Sequence, residues 1–226
     1  MKKRVPPIVI LLALVATVSA CAKTVSLLDV TNPRFAAVAP DSFDVEMVTT
    51  KGTVTVRVRR DWSPHGADRF YSMVREHFLE DVAFHRVIAG FVAQFGIHGD
   101  SAVARTWAEK ERRIPDDSVR TSNRRGTLSF ASAGPNTRST QMFFNLENNA
   151  AGLDSYGGFG FPPIGQVTAG LEILDRLYAE YSTGRGGPAP EGPNQDSIQA
   201  LGNAYLLRRF PQLDYIKSAR VARKWD

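Results

Sequence analysis

Hydrophobic and polar positions first alternate over Phe43-Asp44-Val45-Glu46-Met47-Val48. They turn through Thr49-Thr50-Lys51-Gly52 and alternate again over Thr53-Val54-Thr55-Val56-Arg57-Val58. A period of two with one apolar face predicts a β-hairpin. From Pro64 to Glu76 the spacing becomes helical, with a proline near the start and Phe70, Met73 and Val74 as the apolar positions. Ala83–Gln94, Thr127–Ala133 and Met142–Leu146 are apolar, β-branched or aromatic runs that predict central strands. Helical spacing returns through Leu171, Leu174, Leu177 and Tyr178, and a Gly- and Pro-rich loop follows over Gly184–Pro193. Residues 197–210 read as a short extra helix, and Tyr215–Ala222 as a closing strand. There is no internal repeat. Many strands with two or three helices predict one mainly β, mostly antiparallel domain.

The N-terminus breaks this texture. Lys2, Lys3 and Arg4 precede a short apolar run from Ile8 to Val18, and Val18-Ser19-Ala20 supplies small residues for cleavage. This is the pattern of a signal peptide over residues 1–20, too short for a membrane span of about 20 apolar residues. The single cysteine, Cys21, follows directly. Val18-Ser19-Ala20-Cys21 resembles a bacterial lipobox, whose cysteine is acylated and becomes the mature N-terminus. Lipid anchoring to the cell envelope is the expectation, with an outer-membrane position facing the periplasm favoured by Ala22. A plain secreted or periplasmic protein is the alternative. Residues 21–41, of mixed polarity with Pro33 and Pro40, read as a tether ahead of a domain over 42–226. The formal charge of +5 is concentrated at that same end. Without Lys2, Lys3 and Arg4, 25 basic residues face 23 acidic ones, which removes the case for nucleic acid.

Two segments carry chemistry. One is Phe84-His85-Arg86-Val87-Ile88-Ala89-Gly90-Phe91-Val92-Ala93-Gln94. The other runs from Gly126 through Leu128-Ser129-Phe130-Ala131-Ser132-Ala133-Gly134-Pro135-Asn136-Thr137 to Gln141-Met142-Phe143-Phe144. In order, spacing and residue type they resemble the signature of the cyclophilin family of peptidyl-prolyl cis-trans isomerases. The resemblance covers roughly residues 43–178 and the final strand. It implies a closed eight-stranded antiparallel barrel capped by two helices, with residues 183–214 as an extra C-terminal helical insertion.

The implied reaction suits these residues. An X-Pro amide rotates over a barrier of roughly 18–20 kcal/mol, although its isomers differ by only about 0.5–1 kcal/mol. A catalyst therefore needs no nucleophile, metal or cofactor. It needs a donor near the prolyl nitrogen and an apolar slot that favours the twisted amide. By resemblance, Arg86 is the donor, with Gln94 and Phe143 completing the catalytic set. Phe91, Val92, Phe143, Leu153 and Phe161 line the proline pocket, Gln141 is polar support, and Ala131, Ser132 and Ala133 form an edge for an extended peptide. His85 belongs to the motif without a catalytic role. The partners implied are proline-containing segments, bound by a monomer.

Departures from the family pattern bear on function. Gly152 stands where a tryptophan is common, which predicts weak cyclosporin binding. Val92 replaces a methionine, Phe161 replaces a histidine or tyrosine, and Phe95–Asp100 expands a shorter loop. The alternative function is a non-catalytic module or chaperone that holds proline segments. A hydrolase lacks its triad here, and His65, His77, His85 and His98 lack metal-ligand spacing.

Overall fold

The computed structural model describes residues 25–182 and 192–226. The signal-like segment with Cys21, and residues 183–191 of the Gly/Pro-rich loop, lie outside the described residues. The expected hairpin forms from β1 (Ser42–Thr49) and β2 (Gly52–Arg59), paired antiparallel with Val45 opposite Val56 and Met47 opposite Val54. Phe43, Val45, Met47, Val54, Val56 and Val58 are fully buried, so alternation had marked the core face correctly.

One sheet contains nine strands among the described residues, in the order β3-β9-β1-β2-β8-β6-β7-β5-β4. The remaining strands are β3 (Val82–Ala83), β4 (Arg86–Ile88), β5 (Val92–Phe95), β6 (Thr127–Phe130), β7 (Met142–Asn145), β8 (Pro163–Ala169) and β9 (Tyr215–Trp225). The count exceeds the expected eight because Ala83–Gln94 is not one strand but parts of three. Nor does a hydrogen-bond ladder close the barrel. The two end strands, β3 and β4, are separated by only Phe84 and His85, so the covalent chain bridges the edges. Phe84 turns that corner with its N–H on the Asp214 carbonyl at 2.9 Å.

Six α-helices are described. Helix α1 (Pro64–Arg75) buries Ala67, Phe70, Met73 and Val74 in the main core. Its first turn is held from outside by Asp117, which accepts from the Ser63 hydroxyl at 2.5 Å and the Gly66 N–H at 3.1 Å. Arg138 is also buried and pairs with Asp117 at 3.0 Å. Burial alone would raise the Asp117 pKa, but these hydrogen bonds and the Arg138 charge outweigh it and lower the value.

Helix α2 (Ser101–Ala108) starts at Asp100, whose side chain accepts from the N–H groups of Ala102 and Val103. Its Trp107 indole donates to the Leu27 carbonyl at 2.8 Å and meets the Phe35 ring edge-on at 5.0 Å. Leu27, Val30 and Phe35 pack on the core, so this part of the expected tether lies against the domain. Helix α3 (Ala150–Leu153) is a short turn beside the site.

The helical spacing through Leu171, Leu174, Leu177 and Tyr178 gives a helix only over α4 (Leu171–Leu174). Beyond it the bonds become three-residue turns, Arg176 N–H to the Ile173 carbonyl and Leu177 N–H to the Leu174 carbonyl, and the Tyr178 N–H donates to the Asp214 carboxylate at 2.7 Å. Leu174 and Leu177 still reach the core. The extra helix is two, α5 (Gln195–Leu201) and α6 (Asn203–Arg209), divided at Gly202 with φ of 62°. A Cβ at Gly202 would lie 2.1 Å from the Gly99 carbonyl oxygen, so only glycine fits. A second cluster, including Ile97, Ala104, Ile198, Leu206 and Phe210, packs this insertion beside the barrel.

Candidate active site

Strands β4, β5, β7 and β6 lie side by side, and their registers place Arg86 opposite Gln94, Gln94 opposite Phe143, and Phe143 opposite Ser129. Side chains of directly opposed residues share a face. Ala93, Phe95, Phe144 and Leu128 point into the main core, leaving the alternate residues on the outer face. That outer face is covered as well, which is why these strands read as continuous apolar runs.

Part of it is an apolar pocket. Val92, Phe143, Leu153 and Phe161 form a separate cluster, with Phe91 and Ala131 packed against it. Phe143 and Phe161 meet edge-on at 5.7 Å, and Tyr156 lies 5.4 Å from Phe161. All five expected pocket residues are therefore together. Gly152 borders Leu153, and a Cβ there would meet no atom within 4 Å.

The pocket walls hang on loops, and buried amides hold those loops. Asn123 is fully buried, donating from Nδ2 to the Asp154 carboxylate and the Phe161 carbonyl, each at 2.9 Å. Its Oδ1 accepts from the Ser129 hydroxyl at 2.9 Å and from Asn145 Nδ2 at 3.1 Å. Asn149 donates to Asn145 Oδ1 and to the Phe91 carbonyl, each at 2.8 Å. Sequence reasoning missed Asn123, Asn145 and Asn149. Their only signal was polarity beside apolar runs.

Beside the pocket runs a file of polar side chains. Arg86 Nη1 donates to Gln94 Oε1 at 3.2 Å, and Gln94 Nε2 donates to Gln141 Oε1 at 2.8 Å. Gln141 Nε2 then donates to Gln195 Oε1 at 3.1 Å. Arg86, Gln94 and Gln141 were expected together, whereas Gln195 on α5 was not. Arg86 is half-buried, and burial lowers its guanidinium pKa from an already high value. It remains a cation at neutral pH. His85 is fully buried, and its pKa falls to about 4, chiefly through burial and next through the Arg86 charge. The Ala83 carbonyl and Gln141 oppose that shift in part, although neither ring nitrogen makes a hydrogen bond of good geometry. The ring is neutral at pH 7.

A cavity of about 250 Å³ opens between the file and Ala131–Ala133, and a second of about 180 Å³ lies between Arg86 and Pro193–Asp196. The Ala131–Ala133 edge is partly engaged internally. The Ala131 N–H bonds the Gln141 carbonyl and the Ala133 N–H bonds the Thr137 hydroxyl, both at 2.9 Å. Of these three N–H groups, Ser132 supplies the one left for a ligand.

A rolled antiparallel sheet with an apolar pocket and a half-buried arginine on its outer face is the architecture of one class of folding enzyme. The family model of cyclophilin type peptidyl-prolyl cis-trans isomerase/CLD matches residues 44–199. Peptidyl-prolyl cis-trans isomerase A of Dickeya dadantii is 28% identical over 82% of this chain and 95% of its own. Peptidyl-prolyl cis-trans isomerase B of Escherichia coli is 30% identical over 66% of this chain and 92% of its own. In fold, the chain is similar to a Cryptosporidium parvum cyclophilin type peptidyl-prolyl cis-trans isomerase, with a TM-score of 0.56 and 19% identity. That likeness covers 80% of this chain and 99% of the other. The chain belongs to the cyclophilin-type peptidyl-prolyl cis-trans isomerase family.

Proposed function

We propose that this protein accelerates X-Pro rotation in extracytoplasmic protein substrates, with Arg86 as the donor and the Val92–Phe143–Leu153–Phe161 cluster as the seat of the proline ring. The observation that carries the reading is the register across β4, β5 and β7. It sets a permanent cation beside an apolar slot that contains no charged side chain. As the amide twists, its nitrogen regains a lone pair, and a guanidinium N–H aimed at that lone pair stabilises the twisted form more than either planar one. Gln94 fixes the guanidinium through the Arg86 hydrogen bond, and Gln141 fixes Gln94 in turn. The solved relative was crystallised with the dipeptide Ala-Pro, in keeping with a proline ligand here.

The test is refolding of a substrate protein whose slow phase is proline isomerisation, which takes about 10–100 s uncatalysed at 25 °C. The mature protein should shorten that phase in proportion to its concentration, and Arg86→Ala should not. An unchanged slow phase with folded wild type would leave the proline-binding module as the better account.

The proposed location is the cell envelope, with a lipid on Cys21, supported by the Val18-Ser19-Ala20-Cys21 pattern. Cys21→Ser should move the protein from the membrane fraction to the soluble one. Unchanged fractionation would overturn the anchor. The Gly152 surface, which lacks a large side chain beside Leu153, supports weak cyclosporin binding.

A further inference from the structure

The polar file has a direction that chemistry imposes. Arginine has donors only, so Gln94 must turn its oxygen to Arg86 and its NH2 outward. Gln141 then presents its oxygen to Gln94 and its NH2 to Gln195, which accepts with Oε1. The file therefore ends on Gln195 Nε2, which has no partner among the described residues. This carboxamide lines both the cavity beside Ala131–Ala133 and the one beside Arg86.

Gln195 is held in place by the chain's own departures from a minimal barrel. Asn194 caps α5 by accepting from the Ser197 N–H at 2.9 Å. The Asn203 N–H then bonds the Gly99 carbonyl at 2.8 Å, and Arg105 Nη1 bonds the Ala200 carbonyl at 3.2 Å. The expanded Phe95–Asp100 loop and the C-terminal insertion thus brace one another, and together they set Gln195 against Gln141.

We propose that Gln195 is a substrate-binding residue of the isomerase. Its Nε2 donates to a backbone carbonyl of the segment preceding the proline, while its Oε1 holds Gln141 in the file that positions Arg86. This rests on the proline-pocket reading. The cavity between the file and Ala131–Ala133 is lined by Gln94, Gln141 and Gln195, so a segment that precedes a proline seated in the pocket and enters this cavity meets Gln195. The insertion therefore makes binding depend on chain length before proline, and the donor selects for an acceptor there rather than for a particular side chain.

The experiment uses NMR titration of the mature protein with acetyl-Ala-Ala-Pro-Ala-amide and with the shorter acetyl-Pro-Ala-amide, alongside exchange rates for the longer peptide. Gln195→Ala removes both the donor to the peptide and the acceptor for Gln141, and it should weaken the longer peptide about tenfold more than the shorter one, the share of the one hydrogen bond to the peptide. Gln195→Glu keeps the acceptor for Gln141 but loses the donor at neutral pH. It should likewise weaken the longer peptide about tenfold more than the shorter one at pH 7. It should recover relative to wild type near pH 4, where a carboxyl group of ordinary pKa about 4.3 regains a proton. A merely structural role would weaken both peptides alike and show no such recovery, which would overturn the proposal, as would wild-type affinity in both variants. Wild type that binds the longer peptide without accelerating exchange would sink the isomerase reading, while the affinities still decide the role of Gln195. Wild type that binds neither peptide would overturn both.

Discussion

The two halves of the groove are built in opposite ways. The pocket half owes its shape to buried amides. Asn123 alone makes contacts to Asp154, Phe161, Ser129 and Asn145, and Asn149 secures Phe91. The polar half is a single file of side chains, buried at Gln94 and half-buried at Arg86, Gln141 and Gln195, each held by its neighbour and ending on a residue from the insertion. A closed network fixes shape because every member is satisfied and any loss strands several partners. An open file fixes direction but leaves its last group adjustable. Shape is therefore set by the pocket network, and the end of the polar file by what was added to the barrel.

Substitutions can break this contrast, and the largest effect is expected where a charge is stranded. Arg138 is buried against Asp117 and supports the segment that follows Ala131–Ala133. Arg138→Met should cost about 3–5 kcal/mol in urea unfolding, because Asp117 is left without its cation. A loss under 1 kcal/mol would show that solvent reaches Asp117. Next comes the pocket network. Asn123→Leu should cost roughly 2–3 kcal/mol by leaving buried partners unpaired, and peptide affinity should fall with it. Intact affinity would mean the pocket walls stand without Asn123.

A smaller, pH-dependent effect belongs to His85, whose folded pKa of about 4 lies below the unfolded value of about 6.5. The unfolded chain takes up a proton that the folded one refuses. Stability is thus full above pH 6.5 and is lost as pH falls toward 4, by on the order of 1 kcal/mol per pH unit. His85→Phe should flatten that slope in denaturation curves at pH 4.5 and 7, and an unchanged slope would assign it to other groups. The smallest stability effect is expected at Gly152, where a side chain enters open space. Gly152→Trp should change stability by about 0.5 kcal/mol or less and tighten cyclosporin binding about tenfold. Calorimetry with equal affinities for both proteins would remove Gly152 as a determinant of cyclosporin affinity.

How much of this could be read from the sequence follows the same division. The hairpin was legible from its period of two, whereas Phe91, Val92 and Phe143 were placed by resemblance, through motifs contiguous in sequence. Leu153 and Phe161 came only from resemblance, and they do join Phe143. The buried asparagines were not legible, since Asn123 sits among Ser122, Arg124 and Arg125 and reads as one more solvated polar residue. Gln195 lies 54 positions from its partner Gln141, beyond any local pattern. Helix α2 went unread because its apolar positions, Val103, Ala104 and Trp107, make only one turn, and strand β8 because it does not alternate, while past α4 the distant Asp214 takes the Tyr178 N–H.

The central claim is that the pocket binds proline while Arg86 accelerates its rotation. Exchange spectroscopy of an Ala-Pro peptide, titrated with wild type and Arg86→Ala, measures affinity and acceleration together. The account predicts affinities within about threefold and an acceleration reduced by about a hundredfold or more, the scale for removing a donor that acts on the transition state. Acceleration that survives in Arg86→Ala, or that falls only in step with affinity, would contradict it.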